Sequence, residues 1–96
     1  MTARVYIMTN RKNGILYIGV TSDIGRRIYE HRHGLIEGFT REYKLHRCVY
    51  VETHATMPPL AIAREKRLKT WNRAWKVRLI NKDNPEWEDL FDRLFT

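Results

Sequence analysis

The 96-residue chain has a single cysteine, Cys48, so no disulfide can form within it, which fits a reducing compartment. Proline and glycine are scarce, three and five residues, and neither linker, low-complexity tract nor internal repeat is visible. Long hydrophobic runs are missing too. The first apolar stretch, Val5-Tyr6-Ile7-Met8, is too short for a signal-peptide core or a membrane span. These absences point to a soluble, cytoplasmic protein of one domain, residues 1 to 96, large enough to fold without disulfides or a structural metal.

Acidic residues are also few, 11 against 18 Lys and Arg, for a formal net charge of +7. They are unevenly placed. Residues 1 to 82 hold 17 basic and 6 acidic side chains, whereas residues 83 to 96 hold one and five. A polyanion is drawn to the larger part and held off the C-terminal end. A nucleic acid is the expected kind of partner, charge alone leaves DNA and RNA open, and no membrane is implied.

Two short β-rich runs, Arg4 to Thr9 and Ile15 to Val20, flank Asn13-Gly14, a strong hairpin signal because both residues tolerate positive φ. With Asn13-Gly14 as the two loop residues, Lys12 pairs with Ile15 and Asn10 with Tyr17. Tyr6 and Tyr17 then share one face with Met8 and Gly19, and Val5, Ile7, Leu16 and Ile18 share the other. Asp23 to His33 is expected to be a helix, with Thr21, Ser22 or Asp23 as N-cap, Gly34 as its stop, and Ile24, Ile28 and Leu35 as its apolar stripe. Arg27 and His31 are neighbours one turn apart beside that stripe.

Residues 35 to 45 read as a loop, and His46 to Glu52 as a third strand. After Pro58-Pro59 a helix is expected from about Leu60 to Trp71, with Leu60, Ala61, Leu68 and Trp71 on one arc and Glu65 at its margin. Arg64 falls inside that arc as a misfit. Arg73 to Lys82 forms a further helix, and Asn84-Pro85 opens a last one whose Trp87, Leu90, Phe91, Leu94 and Phe95 repeat at helical spacing. The fold class is α/β, a small three-stranded antiparallel sheet flanked by helices.

Hydrolysing a phosphodiester needs a base for water, positive charge on the phosphoryl oxygens and stabilisation of the leaving oxygen. The ordered set Tyr6, Tyr17-Ile18-Gly19, Arg27 and Glu65 can supply these, and its order and spacing closely resemble the GIY-YIG nuclease family over nearly the whole chain. Arg4 stands where the first motif normally has glycine, giving Arg-Val-Tyr. The resemblance implies a metal-dependent endonuclease acting on DNA, similar to the nuclease module of bacterial excision-repair enzymes. It implies that Tyr6 and Tyr17 shape the water site, that Arg27 holds the scissile phosphate, and that Glu65 binds one Mg²⁺ or Mn²⁺ ion. His31 falls where the family often has a second polar or aromatic group. The resemblance also brings Asn84 near the site, although Asn-Pro is an ordinary helix-start pair and the residues alone favour capping.

A tyrosine with an ordinary pKa of about 10 is a poor base unless cations favour the phenolate, and Arg26, Arg27 and His31 are expected to do that. Gly19, Arg26, Lys66, Lys69 and Arg73 are the expected nucleic-acid contacts. A chain this short has no separate reading domain, so selectivity is expected from nucleic-acid shape, from single-stranded character or from a protein partner. Two other classes stay open. A non-catalytic nucleic-acid-binding module needs the basic helices but neither Glu65 nor the tyrosine pair, and a protein adaptor working through the acidic C-terminal segment needs none of them. His33, His46 and His54 have no zinc-ligand spacing with Cys48, and Trp71, Trp75 and Trp87 read first as core residues.

Overall fold

The computed structural model describes residues 2 to 36, 38 to 54 and 58 to 91, with Pro58 described through its backbone alone. Three strands, β1 (Ala3–Thr9), β2 (Leu16–Thr21) and β3 (Arg47–His54), form an antiparallel sheet in the order β2-β1-β3. Among the described residues the helices that accompany them are α1 (Ile24–Arg32), the single turn α2 (Phe39–Glu42), α3 (Pro58–Thr70) and α4 (Arg73–Asp83). The expected α/β class and three-stranded sheet are therefore observed. No helix among the described residues is long and apolar enough to cross a membrane.

Period-2 alternation in β1 separates two cores. Val5, Ile7 and Ile18 pack with Val49, with Ala61 and Leu68 of α3, with Ile80 of α4 and with Trp87. Tyr6 and Met8 pack on the other face with Ile24 and Ile28 of α1, Leu45 and Cys48, with Tyr17 partly buried beside them. A bulge in β3 opposite Ile7 and Met8 adds Val49 to the strand. Both Val49 and Tyr50 then face the aliphatic side, while Cys48 faces the tyrosine side.

The hairpin turn is longer than the sequence suggested. Met8 pairs with Tyr17 and Thr9 with Leu16, so Asn10 and Ile15 close the loop and Arg11-Lys12-Asn13-Gly14 span it. The Asn10 side chain accepts the Ile15 N–H at 3.0 Å, and Gly14 N–H returns to the Arg11 carbonyl at 2.9 Å. These bonds favour the four-residue turn over the two-residue one. Because the register shifts by two, the face of every side chain is kept. Arg4, in the motif-glycine position, pairs regularly with Thr21 and Thr53.

Asp23 caps α1 through its side chain, which accepts the Arg26 N–H at 3.2 Å. At the other end Gly34 has φ of 64°, and the N–H groups of Gly34 and Leu35 return to His31 and Glu30, so a glycine is needed where the helix stops. Leu35, beyond that reversal, is 61 % exposed rather than part of the apolar stripe. The expected loop at 35 to 45 contains α2, and Leu45 is buried against the tyrosine face.

The last expected helix does not begin at Asn84-Pro85. Asn84 instead ends α4, donating through Nδ2 to the carbonyls of Val49 and Glu88 at 3.1 and 2.8 Å and accepting the Glu88 N–H at 3.0 Å. That ties the chain into a loop against β3. Trp87 adopts φ of 55°, an unfavourable value for a bulky residue, fixed by its indole donating to Asn81 at 2.6 Å and by Arg47 holding its carbonyl at 3.1 Å. Leu94 and Phe95 lie outside the described residues.

Candidate functional site

Tyr6 organises the site. Its hydroxyl accepts the Arg27 Nε–H at 3.2 Å and meets His31 Nε2 at 2.9 Å. Since Arg27 can only donate, the phenol proton points to His31. Tyr17 completes the cluster, its ring centroid 6.4 Å from Tyr6 and 5.5 Å from His31. The one-turn spacing of Arg27 and His31 on α1, and the shared face of Tyr6 and Tyr17 on the hairpin, bring these four residues together as the sequence suggested.

Gly19 explains the Tyr-Ile-Gly element. It lies directly opposite Tyr6 in the β1–β2 pair, and any Cβ there would collide with the Tyr6 ring and its hydroxyl. Gly19 is buried, so it seats the phenol and offers little surface for the nucleic-acid contact expected at this position.

Electrostatics correct one expectation outright. Burial pushes the Tyr6 phenol up to about 12, and the opposing hydrogen bond from Arg27 does not reverse the shift. The cations around Tyr6 therefore do not produce a phenolate near neutral pH. His31 is drawn down to about 4, mainly by burial and further by Arg27 and His46, so it is neutral. Arg27 moves upward because its strongest interaction is the hydrogen bond to Tyr6; its guanidinium keeps its charge. His31 Nδ1 is buried with no hydrogen-bond partner.

Tyr6 is 0 % exposed, whereas Tyr17 and Arg27 are only partly covered. Tyr17 and Arg27 are therefore the solvent-reachable members of the cluster, and Tyr6 and His31 are its buried ones. Arg27 Nη1 also lies 3.9 Å from Glu30, a long and partly exposed pair worth little.

Glu65 is not joined to this cluster by any hydrogen bond. It lies on α3, whose Ala61 and Leu68 pack against the aliphatic face of the sheet, and its carboxylate meets Lys69 at 3.2 Å with only 14 % of the side chain exposed. Helical geometry sets Glu65 about 100° from Arg64, on the opposite flank of the Ala61–Leu68 stripe. Among the described residues no group of three His, Cys, Asp or Glu side chains could hold a metal. The donor available is one carboxylate, an oxygen ligand of the kind that Mg²⁺ accepts when waters and a substrate phosphate complete its shell.

The α3 stripe is narrower than expected, since Leu60 is exposed. Arg64, the misfit in the arc, is explained by Glu52. Its Nε donates to that carboxylate at 3.1 and 3.3 Å while the guanidinium lies 5.2 Å over the Trp71 ring. Tyr50 and His54 bond the same carboxylate at 2.6 and 2.7 Å. Burial alone would raise the Glu52 pKa, but these partners hold it below the ordinary carboxylate value. Sequence reasoning missed this cluster, although Tyr50, Glu52 and His54 at alternate positions of a strand were a usable signal.

The expected basic footprint is partly committed inside the protein. Arg73 donates to the carbonyls of Asn13 and Gly14 at 2.8 and 2.7 Å, pinning the hairpin turn, and Lys69 pairs with Glu65. Arg26 and Lys66 remain exposed. Asn84 spends its amide on backbone groups of β3 and the following loop.

Residues 3 to 81 match the family model of the GIY-YIG catalytic domain. A UPF0213 protein of Staphylococcus epidermidis is 32 % identical over 78 residues, covering 81 % of this chain and 93 % of the relative. One from Staphylococcus saprophyticus is 35 % identical over 71 residues, covering 74 % and 85 %. The solution NMR structure of a UPF0213 protein from Bacillus halodurans superposes with a TM-score of 0.57 at 28 % identity, covering 100 % of both chains.

Proposed function

Because the chain belongs to the GIY-YIG family, whose domains are generally nucleases, we propose that it is a metal-dependent endonuclease. Its reaction is hydrolysis of phosphodiester bonds in DNA, with preference for single-stranded or branched regions. The observation that carries this reading is the clamp on Tyr6, where one buried hydroxyl orients both Arg27 and His31 beside the partly buried Tyr17.

Each residue follows from that arrangement. Arg27 donates Nε to Tyr6, which aims the rest of its planar guanidinium at the phosphoryl oxygens. A donor fixed in advance stabilises charge that develops during attack without reorganising. Tyr17, the phenol within reach of solvent, orients the attacking water and passes its proton outward. Tyr6 is protonated and covered, so it acts through Arg27 and His31. His31, neutral and uncharged, avoids competing with Arg27 for the phosphate and keeps the Tyr6 proton directed away from it.

Glu65 is the residue assigned to one Mg²⁺ or Mn²⁺ ion, on the flank of α3 away from Arg64. When bound, such an ion supplies positive charge to the phosphate and the leaving oxygen. With a single protein carboxylate, metal affinity is weak until the substrate phosphate arrives.

Incubating the purified protein with single-stranded, branched and duplex DNA in Mg²⁺, Mn²⁺ or EDTA tests the reading. Cleavage that EDTA abolishes supports it. Tight DNA binding with no cleavage in either metal would assign the scaffold to a binding module instead.

A further inference from the structure

Trp75, Arg78, Leu79 and Lys82 fall at i, i+3, i+4 and i+7 of α4, which places them on one face of the helix. Leu79 at one edge of that face packs against the aliphatic core beside the fully buried Ile80, whereas Trp75 and Arg78 are exposed. Together with Trp71 and Asn81, these side chains line an open cleft of about 570 Å³, within the roughly 300–1,000 Å³ typical of small-ligand sites. Trp75 is 50 % exposed, although burying an indole is among the largest gains a side chain offers. An exposed aromatic cleft of this size marks a contact surface.

The two indoles stand nearly perpendicular, 87° between planes and 5.8 Å between centroids. Arg64 covers one side of Trp71 at 5.2 Å and is itself held by Glu52, so Trp71 is a fixed wall and Trp75 the open one. The charged groups lining the cleft are both cations, Arg78 and Lys82. Asn81 Oδ1 accepts the Trp87 indole N–H, which leaves the amide nitrogen of this exposed residue as a donor. An apolar, electron-rich wall between two cations complements a flat aromatic ring joined to phosphates.

We infer that the cleft lined by Trp71 and Trp75 receives an unpaired nucleobase of a single-stranded segment stacked on the open face of Trp75, with Arg78 and Lys82 on the flanking phosphates. The inference rests on the nucleic-acid reading above and gives it a source of selectivity. Bases stacked inside a duplex cannot enter the cleft, whereas bases in single-stranded or branched regions can, and stacking tolerates any sequence.

Oligonucleotide binding in EDTA, read by tryptophan fluorescence, separates this inference from the catalytic reading. Single-stranded oligonucleotide should quench the parent protein, and Trp75→Ala should weaken that binding roughly 5- to 150-fold, the range of one base–aromatic stack. Duplex affinity should be unchanged. Trp75→Phe should restore most of the loss, and Arg78→Gln should lower the salt slope for single strands by about 0.7. Equal losses on single-stranded and duplex DNA, or none on either, would overturn the inference while leaving cleavage by the parent protein untouched. Unchanged DNA binding combined with loss of self-association in Trp75→Ala would assign the cleft to a protein contact and overturn it as well.

Discussion

Gly19 and Tyr6 face each other across the β1–β2 pair, and the Tyr6 ring occupies the space that a Cβ at position 19 would need. The family's Tyr-Ile-Gly element is thus a packing device with a chemical consequence: glycine lets the phenol lie over the neighbouring strand, where it reaches Arg27 and His31. Gly19→Ala should displace the ring and destabilise the protein by about 1–3 kcal/mol, as overpacking does, with loss of cleavage. Denaturant unfolding measures the first effect. Wild-type stability in this variant would mean that the ring has room to move.

Tyr6→Phe probes the clamp without the steric change. The Arg27 Nε–H and the buried His31 Nε2 would each lose a partner, at a cost of about 1–3 kcal/mol. Turnover should fall although the ring and the core remain. Tyr17→Phe should cut turnover with little change in stability, because Tyr17 lies at the partly exposed mouth. Equal turnover losses with equal stability losses in the two variants would contradict the division of roles.

Arg27→Ala should reduce turnover by orders of magnitude, since a preorganised electrostatic donor is worth roughly 3–4 kcal/mol in such sites. The melting temperature should fall only slightly, because the side chain is partly exposed and is tied to the sheet by hydrogen bonds to the two phenols rather than by apolar packing. A variant that keeps its turnover would move the phosphate elsewhere on the surface.

His31 links stability to pH. It is buried neutral, with a pKa drawn down to about 4 mainly by burial, against about 6.5 in the unfolded chain. Above pH 6.5 neither state binds the proton. Between 6.5 and 4 only the unfolded state does, so stability falls as pH falls, by roughly 3 kcal/mol across the window. His31→Gln should flatten the slope between pH 6.5 and 5, above the range where Glu52 titrates. An unchanged slope would mean that another group carries it.

The parity of the hairpin was legible in the sequence because side-chain alternation survives a register shift of two, so Tyr6 and Tyr17 were assigned one face even though the turn was misjudged. Arg27 and His31 were legible from their one-turn spacing. Arg73 and Asn84 were not, because their roles depend on distant backbone carbonyls, Asn13 and Gly14 in one case and Val49 in the other. Periodicity also misled at the C-terminal end. Trp87 and Leu90 recur at helical spacing, yet Asn84 and the buried Trp87 indole hold residues 84 to 90 outside any helix. The uncharged state of His31 and the high pKa of Tyr6 come from burial, which spacing alone does not report.

Cleavage by Glu65→Gln tests the central claim most directly, because Glu65 is the sole acidic residue between Thr53 and Lys82 and the one ligand assigned to the metal. The substitution keeps size and polarity but removes the charge and the pair with Lys69. With labelled single-stranded and branched DNA in Mg²⁺, the parent protein should cut and Glu65→Gln should not. DNA affinity in EDTA should stay equal or rise, since a negative charge beside the phosphate is gone. Undiminished Mg²⁺-dependent cutting by a clean Glu65→Gln preparation would contradict the single-carboxylate metal site and the residue roles built on it.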